Sequence, residues 1–93
     1  MKYTYEERRK VYKSALIKFG TQMQCTVAIE EMSEVIKEIT KMLRGKLNRE
    51  HMAEEIADAT IMLEQLCQML NINDSVASWM DYKVAELKRR VEK

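Results

Sequence analysis

Two short acidic runs carry the chemistry of this sequence: Glu30-Glu31-Met32-Ser33-Glu34 and Glu54-Glu55-Ile56-Ala57-Asp58. Residues three apart on an α-helix differ by about 60° in direction and about 4.5 Å in rise. Glu31 and Glu34 therefore share one side of a helix, and so do Glu55 and Asp58. If the two helices pack antiparallel, the pairs meet near one end. Four carboxylates at close range repel one another, and the repulsion grows as water is excluded. Either they point outward, or something positive sits among them. An all-oxygen set suits a hard divalent cation such as Mg²⁺, which keeps several waters and takes further oxygens from a phosphate.

The surroundings weigh on that choice. Leu66 and Met62 lie about 20° to either side of Glu55 around the helix, so Glu55 stands in apolar territory, where an unpaired charge is costly. Glu31 borders an apolar stripe near Val35 and Gln24. Solvated acidic residues are expected instead on the far faces, where Lys37, Glu64 and Gln68 fall. A metal site fits this pattern best; a buried ion-pair network and plain solvated faces stay open as alternatives. Glu30 and Glu54 project about 100° away from Glu31 and Glu55, which makes them supporting or surface residues. His51, one turn before Glu55 on a similar face, can reach the site, although a partly exposed first-turn histidine is the simpler expectation.

Four helices and no strand are expected to position these groups. The first runs from about Tyr5 to Lys18, with Thr4 and Glu7 at capping-box spacing. The second follows Phe19-Gly20 and runs from Thr21 to about Leu43, with Thr21 and Gln24 again at that spacing. Gly45 suits the end of this helix, and Asn48 can cap the third, which extends to about Leu70. Asn71 to Asp74 form the next turn, and Asp74 or Ser75 can cap a fourth helix ending near Val91. Ala28, Met32, Val35, Ile36, Ile39 and Leu43 form a stripe on helix 2. Met52, Ile56, Ala59, Leu63, Leu66 and Leu70 form another on helix 3. The short connection predicts a central antiparallel hairpin. Ile61, Met62 and Met69 are apolar but lie outside that stripe, so a helix bundle completed by homo-oligomerisation is expected.

Composition sets the bounds. Ninety-three residues, expected to form one domain spanning 1–93, carry 16 Lys and Arg against 15 Asp and Glu, a net charge of +1. Duplex-binding modules usually carry a basic excess, and no helix-turn-helix pattern is visible, so no nucleic acid polymer is expected as a partner. No prolines and only two glycines leave few of the residues that tight turns of a β-rich chain use. No apolar run has the length of a membrane span or a signal-peptide core; no membrane association and a cytoplasmic location are expected. Cys25 and Cys67 match no zinc or CxxC spacing and read as free thiols of a reducing compartment.

At the acidic runs the sequence resembles MazG-like all-α nucleoside triphosphate pyrophosphohydrolases. Glu30-Glu31-x-x-Glu34, twenty residues, then Glu55-x-x-Asp58 is similar to their EExxE…ExxD signature. Phe19-Gly20, Gln24, Ala28-Ile29, Arg44-Gly45-Lys46, Ile61 to Leu66, Tyr82-Lys83 and the basic cluster ending in Arg89-Arg90 extend the likeness over about residues 13 to 90, toward short single-domain bacterial and phage members. Phe19 stands where related members often have Trp. The resemblance implies Mg²⁺-dependent hydrolysis of a ribo- or deoxyribonucleoside triphosphate to monophosphate and pyrophosphate, by a dimer or tetramer of helices, with Mn²⁺ as a possible substitute. It implies Glu31, Glu34, Glu55 and Asp58 as metal ligands, with Glu34, or Glu31, accepting the proton of the attacking water. Lys83 and Arg90, seven apart on helix 4, are the expected phosphate contacts, with Arg44 and Lys46 as a second set. Gln24 is expected to bond a base or ribose, and Trp79 and Tyr82 could stack on one.

A reading of another class is a non-catalytic helical interaction or scaffold module that retains an acidic metal site. Eight methionines and surplus apolar surface suit an adaptable partner face. A di-iron carboxylate bundle wants two ExxH pairs, and His51 is the sole histidine.

Overall fold

The computed structural model describes residues Met1–Lys93 and is all-helical, with no strand. It comprises α1 (Tyr5–Phe19), α2 (Thr21–Leu43), α3 (Arg49–Met69) and α4 (Asn73–Val91).

Local chemistry explains most of the helix ends. Thr4 and Glu7 form the expected capping box, each side chain taking the other's backbone N–H. Gly20, at φ 84°, closes α1 by donating its N–H to Leu16 O at 2.8 Å. The same residue opens α2, so no side chain caps that helix, and the box expected from Thr21 and Gln24 does not form. At the other end of α2, Lys46 N–H bonds Lys41 O and Gly45 N–H bonds Met42 O, with Gly45 at φ 77°. This paired closure uses the left-handed backbone that glycine adopts without strain. Asn48 caps α3 through a 3.0 Å bond from His51 N.

α3 ends in the same way as α2, with Asn71 at φ 55° in place of glycine and Ile72 N–H reaching Cys67 O. The chain re-enters a helix directly after this turn. Ile72 therefore occupies the cap position of α4 and no side chain caps it, in contrast to the expectation for Asp74 or Ser75. Asp74 lies inside the first turn, where a negative charge complements the helix dipole.

α2 and α3 are each other's principal packing partners. Late in α2, Glu38 meets His51 early in α3; seven residues earlier, Glu31 meets Glu55 and Asp58 further along. The pairs thus run in opposite senses along the two helices. Ala28 and Ala59 are buried at the contact, where small side chains let the helices approach. Met62, expected outside the α3 stripe, is buried with them, whereas Leu63 inside that stripe is half exposed. Glu55 marks the true inner line of α3, and Met62 lies on it.

α1 covers a part of α3 expected to face solvent. Arg8 makes a two-pronged pair with Glu64, with Nε and Nη2 each 3.0 Å from a carboxylate oxygen. The buried Tyr12 donates its hydroxyl to the same carboxylate, and Gln68 donates to Arg9 O at 3.0 Å. Arg8, with Tyr12 helping, holds the Glu64 carboxyl below the usual range. Burial and the Glu64 charge push the Tyr12 hydroxyl up to about 12. The expectation that Glu64 and Gln68 decorate a solvated face is thereby corrected: helical period identifies a face, not what lies over it.

α4 packs chiefly on α3 and buries no residue. Tyr5 OH reaches Asn73 Oδ1 at 3.2 Å and ties its start to α1. Cys25 and Cys67 are free thiols, each half-buried. No helix is long and apolar enough to cross a membrane.

Candidate metal centre

Glu31 comes from the middle of α2, and Glu55 and Asp58 from successive turns of α3. Each of the three offers a carboxylate oxygen, and these oxygens lie within 4.8 Å of one another. Glu55 is buried at 8 % exposure and Glu31 is half-buried. Burial first, then the charges of Asp58, Glu55 and Glu30, hold the Glu31 carboxyl above the usual carboxylate range. Burial first, then the charge of Glu34, raises Glu55 as well, against a lowering influence from His51. The group is an excess of negative charge in a partly dehydrated place.

Glu34 is half-buried and acts on Glu55 through its charge, but its carboxylate stands outside the tight trio. Glu30 is exposed and adds to the field at Glu31. Glu54 is exposed and forms a second group with His51 and Glu55 within 4.8 Å.

The sequence reading missed Glu38. It is the most buried charged residue, at 2 % exposure, and pairs with Lys41 Nζ at 3.2 Å and His51 Nδ1 at 3.3 Å. Burial opposes its ionisation, but the Lys41 hydrogen bond and the His51 charge outweigh it and hold the carboxyl below the usual range. The signal was present: Glu38 follows Glu31 by seven residues and Glu34 by four, which places it on the same helical face. The other nitrogen of His51, Nε2, lies 3.4 Å from Glu55 Oε1. His51 thus reaches the site and is also partly exposed, with its side chain at 43 %. No Lys or Arg forms an ion pair with Glu31, Glu55 or Asp58; the nearest basic side chain is the His51 imidazole, on Glu55.

An all-carboxylate trio whose mutual repulsion is unrelieved by Lys or Arg fits a hard divalent cation such as Mg²⁺. Glu31, Glu55 and Asp58 would hold it, with Glu34 close by.

The remaining expected contacts lie elsewhere. Gln24 is buried, beside a crevice of about 10 Å³ that it lines with Tyr12, Leu16, Gln65, Gln68 and Met69. That is room for about one water, so Gln24 is not open to a base or ribose as expected. Its heptad relation to Glu31 holds, but α1 closes over it. Lys83 and Arg90 border an open depression on α4 with Val84, Glu86 and Leu87. Neither forms an ion pair with Glu31, Glu55 or Asp58. Lys83 lies near Glu86 Oε1, at 3.8 Å, and over the rings of Trp79 and Tyr82. Those rings meet edge to face with centroids 5.9 Å apart, on the exposed side of α4. Arg44 and Lys46 are exposed in the α2–α3 loop.

No family model matches the chain, and no solved structure matches it. The likeness to MazG-like enzymes rests on the residues quoted for it.

Proposed function

We propose that this chain is a Mg²⁺-dependent nucleoside triphosphate pyrophosphohydrolase, with Mn²⁺ as a possible substitute. The observation that carries the reading is the convergence of Glu31, Glu55 and Asp58 from two helices within 4.8 Å, with no Lys or Arg paired to them. The MazG-like spacing of the acidic runs gives this geometry a reaction. Hydrolysis of a phosphoanhydride depends on charge neutralisation and an aligned water more than on covalent chemistry by the protein. The bound cation would supply the neutralisation and orient the polyphosphate.

The chain's own residues do the rest. Glu31, Glu55 and Asp58 supply oxygens. Glu34, adjacent but outside the trio, accepts the proton of the attacking water, with Glu31 as the second candidate. His51, anchored on Glu38, fixes the side of Glu55 turned away from the ligand. Lys83 and Arg90 remain the phosphate contacts if α4 of another copy approaches the trio. Gln24 serves packing and contacts no nucleotide. In this reading α2 and α3 form an antiparallel hairpin within a cytoplasmic homo-oligomer, a dimer or tetramer.

The test is a panel of ribo- and deoxyribonucleoside triphosphates with Mg²⁺, scored for both products. Equal release of monophosphate and pyrophosphate, abolished by Glu55→Gln with the helical spectrum unchanged, is the expected result. Orthophosphate release, or a fully active Glu55→Gln protein, overturns it.

The exposed apolar residues of α2, α3 and α4 favour a second reading, a non-catalytic helical module that retains the metal site. Calorimetry separates the two: the enzyme binds a non-hydrolysable nucleotide in the presence of Mg²⁺, and the module does not.

A further inference from the structure

His51, Glu54 and Glu55 are spaced by three and four residues near the start of α3 and share one face of the helix. Each offers one ligand atom, and the three atoms lie within 4.8 Å of one another. This group mixes nitrogen with oxygen, unlike the all-carboxylate trio beside it. Glu55 alone belongs to both.

The Glu55 side chain is nine-tenths buried, at 10 % exposure, yet it takes no hydrogen bond from the chain. Its basic contact, His51 Nε2, stands 3.4 Å from Oε1. A protonated imidazole donating to a carboxylate closes to about 2.7–2.9 Å. A separation of about 3.3–3.4 Å is instead the edge of a tetrahedron whose centre lies about 2.0–2.1 Å from each corner, the distance of zinc from histidine nitrogen and carboxylate oxygen. Glu54 is exposed on the same face, so its side chain is free to turn in as a third corner, with water as the fourth.

The far side of the ring is built to match. His51 Nδ1 faces Glu38 Oε1 at 3.3 Å. The Glu38 side chain is 2 % exposed, and Lys41 Nζ holds its other oxygen at 3.2 Å. A buried carboxylate in this position favours the proton on Nδ1, fixes the rotation of the ring and leaves the Nε2 lone pair for a metal. Histidines that ligate metals almost always have such a partner. Asn48 anchors the backbone of the same residue by accepting from His51 N at 3.0 Å. An open depression of about 360 Å³, lined by Asn48, Glu50, His51 and Glu54, gives a cation its way in from solvent.

We infer that His51 Nε2, Glu54 and Glu55 form a Zn²⁺ site, with Glu38 as the residue that orients His51. Imidazole suits a borderline transition-metal dication, whereas Mg²⁺ takes oxygen ligands. The site is separate from the Mg²⁺ trio and does not rest on the proposed activity: Glu31 and Asp58 take no part in it, and it requires no hydrolysis.

The test uses the full chain in excess Mg²⁺, titrated with Zn²⁺. His51 is the sole histidine, so a long-range ¹H–¹⁵N imidazole spectrum reports this one ring and is blind to zinc held elsewhere, by Cys25 or Cys67 for example. The Nε2 resonance is expected to move and to stop moving at one equivalent, while Nδ1 keeps its proton. In calorimetry, Glu54→Gln and Glu38→Gln should each weaken Zn²⁺ binding by about 10–100-fold. Asp58→Asn should weaken Mg²⁺ binding and leave the Zn²⁺ affinity unchanged. An Nε2 resonance that ignores Zn²⁺ overturns the inference, because the ring is then only a bridge between Glu38 and Glu55. Zinc affinity lost in Asp58→Asn and kept in Glu54→Gln overturns it equally, since the zinc then sits in the trio. If Glu38→Gln does not fold, the wild-type spectrum and the exposed Glu54 still decide the matter. A chain that binds Zn²⁺ through His51 but not Mg²⁺ through the trio sinks the proposed activity and keeps this site.

Discussion

Glu38 of α2 and Glu55 of α3 share a single imidazole: His51 presents Nδ1 to the first at 3.3 Å and Nε2 to the second at 3.4 Å. Two buried carboxylates on different helices are thus linked through one ring. The ring's orientation is set by Glu38, which Lys41 holds in turn. Partners of this kind, one step removed from a metal, typically govern affinity by about 10–100-fold. Glu38→Gln and His51→Ala should each weaken Mg²⁺ binding by about that factor, measured by calorimetry, while Glu54→Gln should have a smaller effect. Unchanged affinity in both variants would confine His51 and Glu38 to a structural role.

The carboxylates predict opposite responses to pH. Glu64 lies below its ordinary value of 4.5 in the fold, so its contribution is present above pH 4.5 and lost as pH falls through the lowered value. Glu31 and Glu55 lie above 4.5. Their effect has the other sign: the folded chain holds those protons more tightly, and stability declines as pH rises through the raised values. In chelator, Glu64→Gln should flatten the acid limb of a stability–pH curve, and Glu55→Gln should remove part of the decline on its upper side. Mg²⁺ should stabilise the wild type only once Glu31 and Glu55 have ionised. Stabilisation by Mg²⁺ that is independent of pH across this range would count against those ligands.

Ala28 is 2 % exposed where α2 meets α3. Ala28→Leu adds volume where there is none and should cost about 1–3 kcal/mol in urea unfolding. It should also displace Glu31, one turn on, and weaken metal binding. Equal stability of variant and wild type would mean that the helices are not in close contact there.

Gly45 sits at φ 77° with open space where a Cβ would stand. Gly45→Ala should therefore cost about 1 kcal/mol through backbone strain alone, visible as a lower urea midpoint with the slope unchanged. Tyr12→Phe removes the hydroxyl from Glu64 and should cost about 1 kcal/mol, with its effect greatest where Glu64 is ionised.

The parts of this molecule legible in the sequence are those fixed by near neighbours. Thr4 with Glu7, Asn48 and Gly45 mark helix ends because their bonds close within a few residues. Glu31, Glu55 and Asp58 were visible because helical spacing places them on inner faces. What escaped depends on distant packing. Glu64 and Gln68 looked solvated until α1 lay over them, and the same helix encloses Gln24. The placement of Lys83 and Arg90 follows from where α4 goes, which no spacing within α4 reveals. Glu38 is different: its period was readable, but as part of a mixed charged run it did not stand out.

Only 7 of 93 residues are buried within the chain, which has a kinetic consequence. If the chain is a homo-oligomer as proposed, an interior this thin gives a newly made chain little to hold it together before it meets another, and its completion is a second-order event governed by mass action. Helices form within about a microsecond, whereas encounter waits on abundance. Scarcity, rather than heat, would then be the condition under which this protein is most vulnerable to proteases.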